Sequence, residues 1–387
     1  MTKAASAGRP KGYTKQVALV LQGGGALGSY QAGVYEALAA SPYQPDWVAG
    51  ISIGAINAAI IAGNPPERRV ERLRAFWEGI TAPTAVWKLP HFFDGAERRA
   101  GAVGALLFGQ PGFFTPRPPL SWVGEPKPLS FYDTSSLRST LEKLVDFDRI
   151  NARETRFSVG AVNVRTGHFA YFDNDTTTIR AEHIMASGAL PPGFPAVEID
   201  GEFYWDGGLV SNTPLQQVLN QEPRISRLAF QVDVFQAFGN LPKTLDEVSE
   251  REKDIRFASR TRAATKSFQT LHNIRSDAHD LWEALPEEIR AMPQAKFLNA
   301  LGCVTEMDIV QLIYRPLEPQ GSTKDFEFSR LTMQARWNQG RSDAEATLKA
   351  SPWLAPVPPR TGTRVFDVLH DILVAELGDA SSPKRKA

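Results

Sequence analysis

Val17-Ala18-Leu19-Val20-Leu21-Gln22-Gly23-Gly24-Gly25-Ala26-Leu27-Gly28 decides how this chain is read. Five apolar residues in a row are short enough for a strand buried on both faces, and the three glycines break that strand into a turn. The segment 30–40 that follows has the composition of a helix. The same order then repeats. Residues 47–51 are a second apolar run, Gly50-Ile51-Ser52-Ile53-Gly54 a second glycine-flanked turn, and 53–62 a second small-residue helix. Strand, turn and crossover helix in alternation predict an α/β fold: a mostly parallel central sheet with helices on both faces, in three layers.

Working outward, 156–163 and 167–172 read as two strands joined by a turn at 164–166, and 227–235 as another buried strand. The α/β core is therefore expected over 15–240. Within it, 83–130 is a proline-rich, aromatic-rich excursion that includes Trp87, Phe92, Phe93, Leu106, Phe113 and Phe114. Segments of that length are lids, binding surfaces or packed insertions, and the composition leaves those readings open. From 241 to 380 the chain is charge-rich and mainly helical. It opens at Thr244 with Glu247 three residues on, a capping box, and continues with Phe268, Leu271, Ile274, Ala278, Leu281 and Leu285 near helical spacing.

Composition narrows the function classes. Forty-three basic and forty-three acidic residues cancel, so overall charge gives no reason to expect nucleic acid as a partner. Cys303 is the single cysteine, which excludes an intramolecular disulfide and any metal site built on several thiolates. A reducing, cytoplasmic compartment is the matching expectation. Residues 1–16 are polar and basic, and the apolar run after them is too short for a signal-peptide core. No stretch approaches the roughly 18 apolar residues of a spanning helix, so any membrane contact is expected to be peripheral. The tail with Lys384, Arg385 and Lys386 reads as a solvated basic end, and nothing in the chain specifies an oligomeric state.

Gly50–Gly54 fits a nucleophile elbow, a sharp strand-to-helix turn whose glycines remove side chains that would clash and whose Ser52 is held up and exposed. The helix that follows offers its N-terminal dipole to a developing oxyanion. In the first turn, Gly23, Gly25 and Gly28 also satisfy the dinucleotide-binding spacing. That reading asks for an acid at the end of the second strand, whereas Asp46 precedes the strand and Ser52 follows it. With both turns at one sheet edge, the N–H groups of Gly23, Gly24, Gly25 and Ile53 would face the carbonyl that Ser52 attacks.

A serine hydroxyl needs a base. Asp206, in Trp205-Asp206-Gly207-Gly208, is delivered by a short strand into a glycine turn. His272, His279 and His370 follow it and are the competing candidates, as the third member of a Ser–Asp–His triad. The first two lie in a polar helix and read as surface residues, while His91, His168 and His183 carry no motif. No metal-ligand spacing is present among them, and no cofactor is implied.

Taken together, Gly23–Gly28, Gly50–Gly54 and Asp206–Gly208 resemble the patatin-like phospholipase family, which joins an oxyanion loop, an elbow and a distant Asp-Gly-Gly or Asp-Gly-Ala turn in this order. Ala186-Ser187-Gly188-Ala189-Leu190-Pro191 also looks like that family's approach to the aspartate turn. The resemblance covers about 15–235, and 324–329 with Trp337 looks like the C-terminal extension of one bacterial branch. Many members carry a basic residue just before the loop's last glycine, where this chain has Leu27, leaving backbone donors alone. The resemblance implies a serine acyl-ester hydrolase of phospholipase or lysophospholipase type. It would act on a lipid or other acyl ester through a Ser52–Asp206 dyad and an acyl-serine intermediate, with no metal and no cofactor. A triad esterase of the α/β-hydrolase kind and a non-catalytic lipid-binding or regulatory protein are the alternatives.

Overall fold

The computed structural model describes residues 9–10, 13–81, 105, 107–123, 127–316, 320–358 and 361–372. Most of the first half of the aromatic excursion, with Trp87, His91, Phe92, Phe93 and Leu106, lies outside these residues, as does the basic tail.

The apolar run folds as β1 (Gln16–Leu21) and passes through the glycine loop into α1 (Gly28–Ala39). Next, β2 (Trp47–Gly50) passes through the Ser52 turn into α2 (Ile53–Ala62), and α3 (Arg69–Ile80) follows. β1 and β2 pair in parallel, Ala18 opposite Trp47 and Leu21 opposite Gly50, so both turns leave the sheet at the same edge. Val17, Leu19 and Leu21 enter one core with residues of α1, α2 and α3. Ala18 and Val20 enter a second core, with Leu215, Val218, Leu219 and Phe268, on the opposite face. Burial on both faces is why the run is apolar throughout and does not alternate.

In the described part of the excursion, β3 (Thr115–Pro116) and β4 (Tyr132–Asp133) form a small antiparallel ribbon. Phe113 and Phe114 pack there on Phe194 and Phe328. The chain continues through α4 (Ser135–Leu144), α5 (Phe147–Asn151), β5 (Arg156–Asn163), β6 (Phe169–Asp173) and α6 (Ala181–Ser187). It then forms β7 (Val197–Ile199), β8 (Glu202–Asp206), α7 (Leu215–Leu219) and β9 (Arg227–Asp233). Beyond 240 come α8 (Leu245–Ala284), α9 (Glu287–Arg290), α10 (Pro293–Leu301), β10 (Met307–Ile313), α11 (Arg330–Ala350) and β11 (Thr363–Phe366). The strand order is β11-β10-β9-β1-β2-β5-β8-β7, with β6 also paired to β5.

The region read as mainly helical thus also supplies two strands that the sequence reading did not anticipate. β10 and β11 extend the parallel sheet beyond β9. Asp308, an acid inside β10, is tolerated there because Lys15 and Arg364 donate to its carboxylate at 2.6 and 2.7 Å. The apolar stripe of α8 also differs from its reading. Phe268 and Ala278 are buried, but Leu271, Ile274 and Leu281 are exposed, and the buried face runs instead through Thr265 and His272. At the start of α8, Thr244 Oγ1 accepts the Glu247 N–H at 3.2 Å. The reciprocal carboxylate takes the Lys243 N–H, one residue earlier than a capping box would.

Candidate active site

Sheet topology brings the two candidate groups together. Over Arg156–Val159, one edge of β5 pairs in parallel with β2, while its other edge carries β6. Past that point the first edge is taken over by the antiparallel β8, with Ala161 opposite Asp206. β2 and β8 therefore meet end to end along one edge of β5. The first stops at Gly50 opposite Val159, and the second arrives from the other direction at Asp206 opposite Ala161. Ser52 leaves one strand tip and Asp206 ends the other.

Ser52 sits at φ 55°, ψ −123° at the N-terminus of α2. This left-handed conformation costs a non-glycine residue about 1–3 kcal/mol and persists only where the surroundings over-determine it. Part of that restraint is Ser187, at the end of α6. The Ser52 N–H donates to Ser187 Oγ at 3.0 Å, and the Ser187 hydroxyl donates to Gly160 O at 2.6 Å. Glycines close the turn sterically. A Cβ on Gly50 would lie 2.2 Å from Gly54 O, and one on Gly54 would lie 2.4 Å from Leu21 O. Ser187 is fully buried, so Ser187→Ala should leave a buried N–H and a buried carbonyl unpaired, costing about 1–3 kcal/mol. Loss of ester turnover beyond what the lower melting temperature explains is the expected companion, measured by kinetics and thermal unfolding on the same sample.

The oxyanion loop needs one correction. The Gly23 N–H, read as a donor to the reacting carbonyl, instead donates to Asn212 O at 3.0 Å, and Asn212 Nδ2 donates back to Gly23 O at 2.8 Å. This pair of bonds ties the loop to the turn that carries Asp206, so Gly23 serves as an anchor. The N–H groups of Gly24, Gly25 and Ile53 meet no acceptor among the described residues. For Ile53 that is a consequence of opening a helix, whose first N–H groups have no intrahelical partner. Below the loop a buried polar chain holds its base. Gln31 Nε2 donates to Gln22 O at 2.6 Å, Asn57 Nδ2 to Gln31 Oε1 at 3.0 Å, and Trp77 Nε1 to Asn57 Oδ1 at 3.0 Å. Gly28 opens α1 against α2, where a Cβ would lie 2.6 Å from Ile53 Cγ1.

Asp206 is 3% exposed. Burial pushes its carboxyl up to about 7, against the opposing pull of the Gly208 N–H and of the neighbouring Ser52 side chain. The Gly208 N–H reaches Asp206 Oδ1 at 2.7 Å, and Gly207 fits where a Cβ would come 2.7 Å from Gly160 O. A carboxyl poised near neutrality can both accept and return a proton.

Of the competing candidates, His272 sits at the far end of the sheet. His272 is buried, contrary to its surface reading, and its Nε2–H donates to Thr305 O at 2.8 Å. Thr305 precedes the start of β10, which is level with Arg227 and through it with Gln16. That is the far end of β1 from the Ser52 turn, a six-residue strand or roughly 20 Å away. His279 follows on the same helix, His370 stacks beside Phe238, and His183 accepts the Arg180 N–H at its own helix start. Asp46 accepts the Val17 N–H at 2.8 Å, again at the opposite end of β1 from the glycine loop, where it cannot serve a dinucleotide bound there.

A family model described as patatin-like phospholipase matches residues 19–219, just over half of the 387-residue chain, and spans all three motifs. The chain belongs to the patatin-like phospholipase family. Members of this family are serine-dependent acyl-ester hydrolases that use a Ser–Asp dyad. A second model, described as patatin phospholipase, matches residues 255–360, so the extension is itself a family feature. Among solved structures, the chain is similar to VipD from Legionella pneumophila, at 15% identity over 95% of this chain and 78% of that one, with a TM-score of 0.39. It is similar also to human GIVD cytosolic phospholipase A2, at 13% identity over 87% and 60%, with a TM-score of 0.36. No curated protein matches. Two residues that shape this patatin-like site, Ser187 and Asn212, carried no individual signal in the sequence. Ser187 lies inside a segment noted only for its resemblance, and Asn212 falls outside every motif.

Proposed function

We propose that Ser52 is the nucleophile and Asp206 its base in an acyl-ester hydrolase. Asp206 takes the Ser52 proton as Oγ bonds to the ester carbon, and the carbonyl oxygen, now negative, is held by the N–H groups of Gly24, Gly25 and Ile53. The tetrahedral intermediate collapses, the C–O bond to the alcohol breaks, and Asp206 returns its proton to that alcohol. Water, deprotonated by the same carboxylate, then attacks the acyl-serine and releases the fatty acid, with the proton passing back to Ser52. What supports this reading above all is the junction of β2 and β8 along one edge of β5, which sets the Ser52 turn beside a buried carboxyl raised to about 7. Labelling with a fluorophosphonate should modify Ser52, and a panel of acyl esters and phospholipids should be hydrolysed. A label that maps elsewhere, or an unlabelled protein, would sink the assignment.

The substrate is further read as lipid met at a surface, by an enzyme on the cytoplasmic side of a membrane. Among the described residues no helix is long and apolar enough to cross one. The supporting observation is an apolar rim. Leu190 follows Gly188, whose Cβ would lie 4.0 Å from Ser52 Cα, and Leu209 and Val210 follow the Asp206 turn; all three are exposed. The Phe131 N–H donates to Pro192 O at 3.1 Å, which brings the excursion with Leu120, 82% exposed, and Leu129, 94% exposed, to this side. Each such side chain entering a lipid surface contributes about 1.5–3 kcal/mol. The double change Leu120→Glu with Leu129→Glu should therefore lower turnover of phospholipid vesicles at least about tenfold and leave a soluble short-chain ester unaffected. Equal effects on both substrates would argue against the rim.

A further inference from the structure

We propose that the C-terminal extension sets the geometry of the oxyanion loop, with residues 320–327 pressed onto Gly25 by an ionic cluster in which the partly exposed Lys253 and the buried Lys324 and Arg336 are positioning residues. This rests on the reading of Gly24 and Gly25 as oxyanion donors.

The contact is between backbones. The short helical turn Lys324–Phe326 faces the turn Gly25–Leu27, and Asp325 O would lie only 2.2 Å from a Cβ on Gly25, whose φ is +55°. Only glycine adopts that conformation freely and admits a carbonyl so close, so the position of Asp325 and the shape of the loop are locked to one another. Gly24 is walled in as well. A Cβ there would lie 2.3 Å from Val234 Cγ2, and the next residue, Phe235, packs on Phe257 of α8 with ring centres 4.8 Å apart.

Charged groups hold the pressing segment on two sides. Asp246, Glu250, Lys253 and Asp254 recur along one face of α8. The Lys324 ammonium, 3% exposed, donates to Asp254 Oδ1 at 2.6 Å and to Glu250 Oε1 at 3.2 Å. Glu250 also accepts the Gln320 and Gly321 N–H groups at 3.2 and 2.9 Å, and Asp246 accepts the Ser322 N–H at 3.1 Å. Lys253 Nζ donates to Asp325 Oδ1 at 2.6 Å and to Ser322 O at 2.7 Å, the most direct tether on the residue that touches Gly25. From α11, the buried Arg336 donates to Lys324 O at 3.0 Å and Glu327 O at 3.2 Å.

The same helix grips α1, which issues from the glycine loop. A Cβ on Gly33 would lie 1.9 Å from Trp337 O, and one on Gly340 would lie 2.1 Å from Tyr30 O. The extension therefore reaches the loop directly and also through the helix that carries it. Buried ion pairs are a poor route to stability, since apolar side chains of equal volume often do as well or better, and the role assigned to them here is to fix one arrangement. Oxyanion donors depend on such fixing, because they act at about 2.7–3.1 Å from the developing charge.

The test uses the full chain and a soluble short-chain ester. Lys253→Met removes the Asp325 tether at a partly exposed position and leaves the Lys324 cluster in place, so the fold is expected to survive. Its kcat should fall about 10- to 100-fold with KM within about twofold, fluorophosphonate labelling should slow in parallel, and the midpoint of the pH–rate profile should not move. Lys253→Arg should restore most of the rate. Lys324→Met should show the same pattern more strongly if it folds, and Lys253→Met decides the matter if it does not. Wild-type kcat in Lys253→Met, or a loss that only tracks lower thermal stability, overturns the inference. Ser52→Ala runs alongside. Retained turnover there would remove the reading of the site, whereas a Ser52-dependent enzyme indifferent to Lys253 removes this inference alone.

Discussion

Ser52→Ala is expected to lower kcat by at least about 10⁴-fold while the folded structure persists, because it removes the hydroxyl proposed to form the acyl intermediate. Removing one oxygen from the partly buried Ser52 breaks no core packing, so circular dichroism and melting temperature should stay close to those of the parent. Backbone strain adds a control that catalysis alone would not supply. Alanine inherits φ 55° as serine does, whereas glycine adopts it freely, so Ser52→Gly should be as inactive as Ser52→Ala but more stable, by about 1 kcal/mol or more. Equal stability of the two variants would mean that the elbow is not strained. Turnover surviving in both would mean that Ser52 is not the nucleophile.

Asp206→Asn should be nearly as damaging, about 10⁴-fold in kcat, since an amide keeps the shape of the carboxylate and cannot take a proton. The wild-type pH profile carries the complementary signature. Only the ionised form of Asp206 can act as base, and its carboxyl titrates at about 7, so kcat/KM should rise with pH up to that region and level off above it. The variant should lack this rise.

Stability is expected to move the opposite way. Burial raises the carboxyl from its ordinary 3.8 to about 7, so the folded chain holds this proton at pH values where the unfolded chain has released it. In that window unfolding releases a proton. The group's contribution to stability is therefore intact below pH 3.8, falls as pH climbs toward 7, and stays low above it. Asparagine does not titrate. At pH 8, Asp206→Asn should be more stable than the wild type, on the order of 4 kcal/mol at most, with the gap closing toward pH 4. Asp233, also buried and pushed up to about 6, is present in both proteins and cancels in the comparison. A gap that is absent or that widens at acid pH would show that Asp206 is not a desolvated carboxyl.

Both expectations begin with residues legible in the sequence, and the family resemblance pairs them, yet nothing local in the chain encodes how the two are brought together. Chain order placed Ser52 and Asp206 at strand ends, but whether those ends meet depends on which edge of β5 each strand occupies. β8 could equally have paired elsewhere in the sheet, because the short run Glu202–Asp206 has no local feature naming its neighbour. Gly23 shows the same limit from the other direction. Its position in the loop was plain, and only the arrival of Asn212 from a distant turn diverted its N–H. His272 was read as exposed because its sequence neighbours are polar; it is buried because β10 and the segment before it fold back against that face of α8.

Legible in the chain alone were the alternation of strand, turn and helix, the glycines at which backbones must turn or cross, and the two candidate residues for acyl-transfer chemistry at strand tips. These depend on run length, periodicity and the absence of a Cβ, all local properties of the chain. Tertiary structure alone decided that β2 and β8 share one edge, that Ser187 and Asn212 hold the two turns, that β10 and β11 widen the sheet, and that Asp325 presses on Gly25. Each of these is a choice of partner made by burial and by hydrogen bonds across long stretches of chain, and no short segment encodes the segment it will meet.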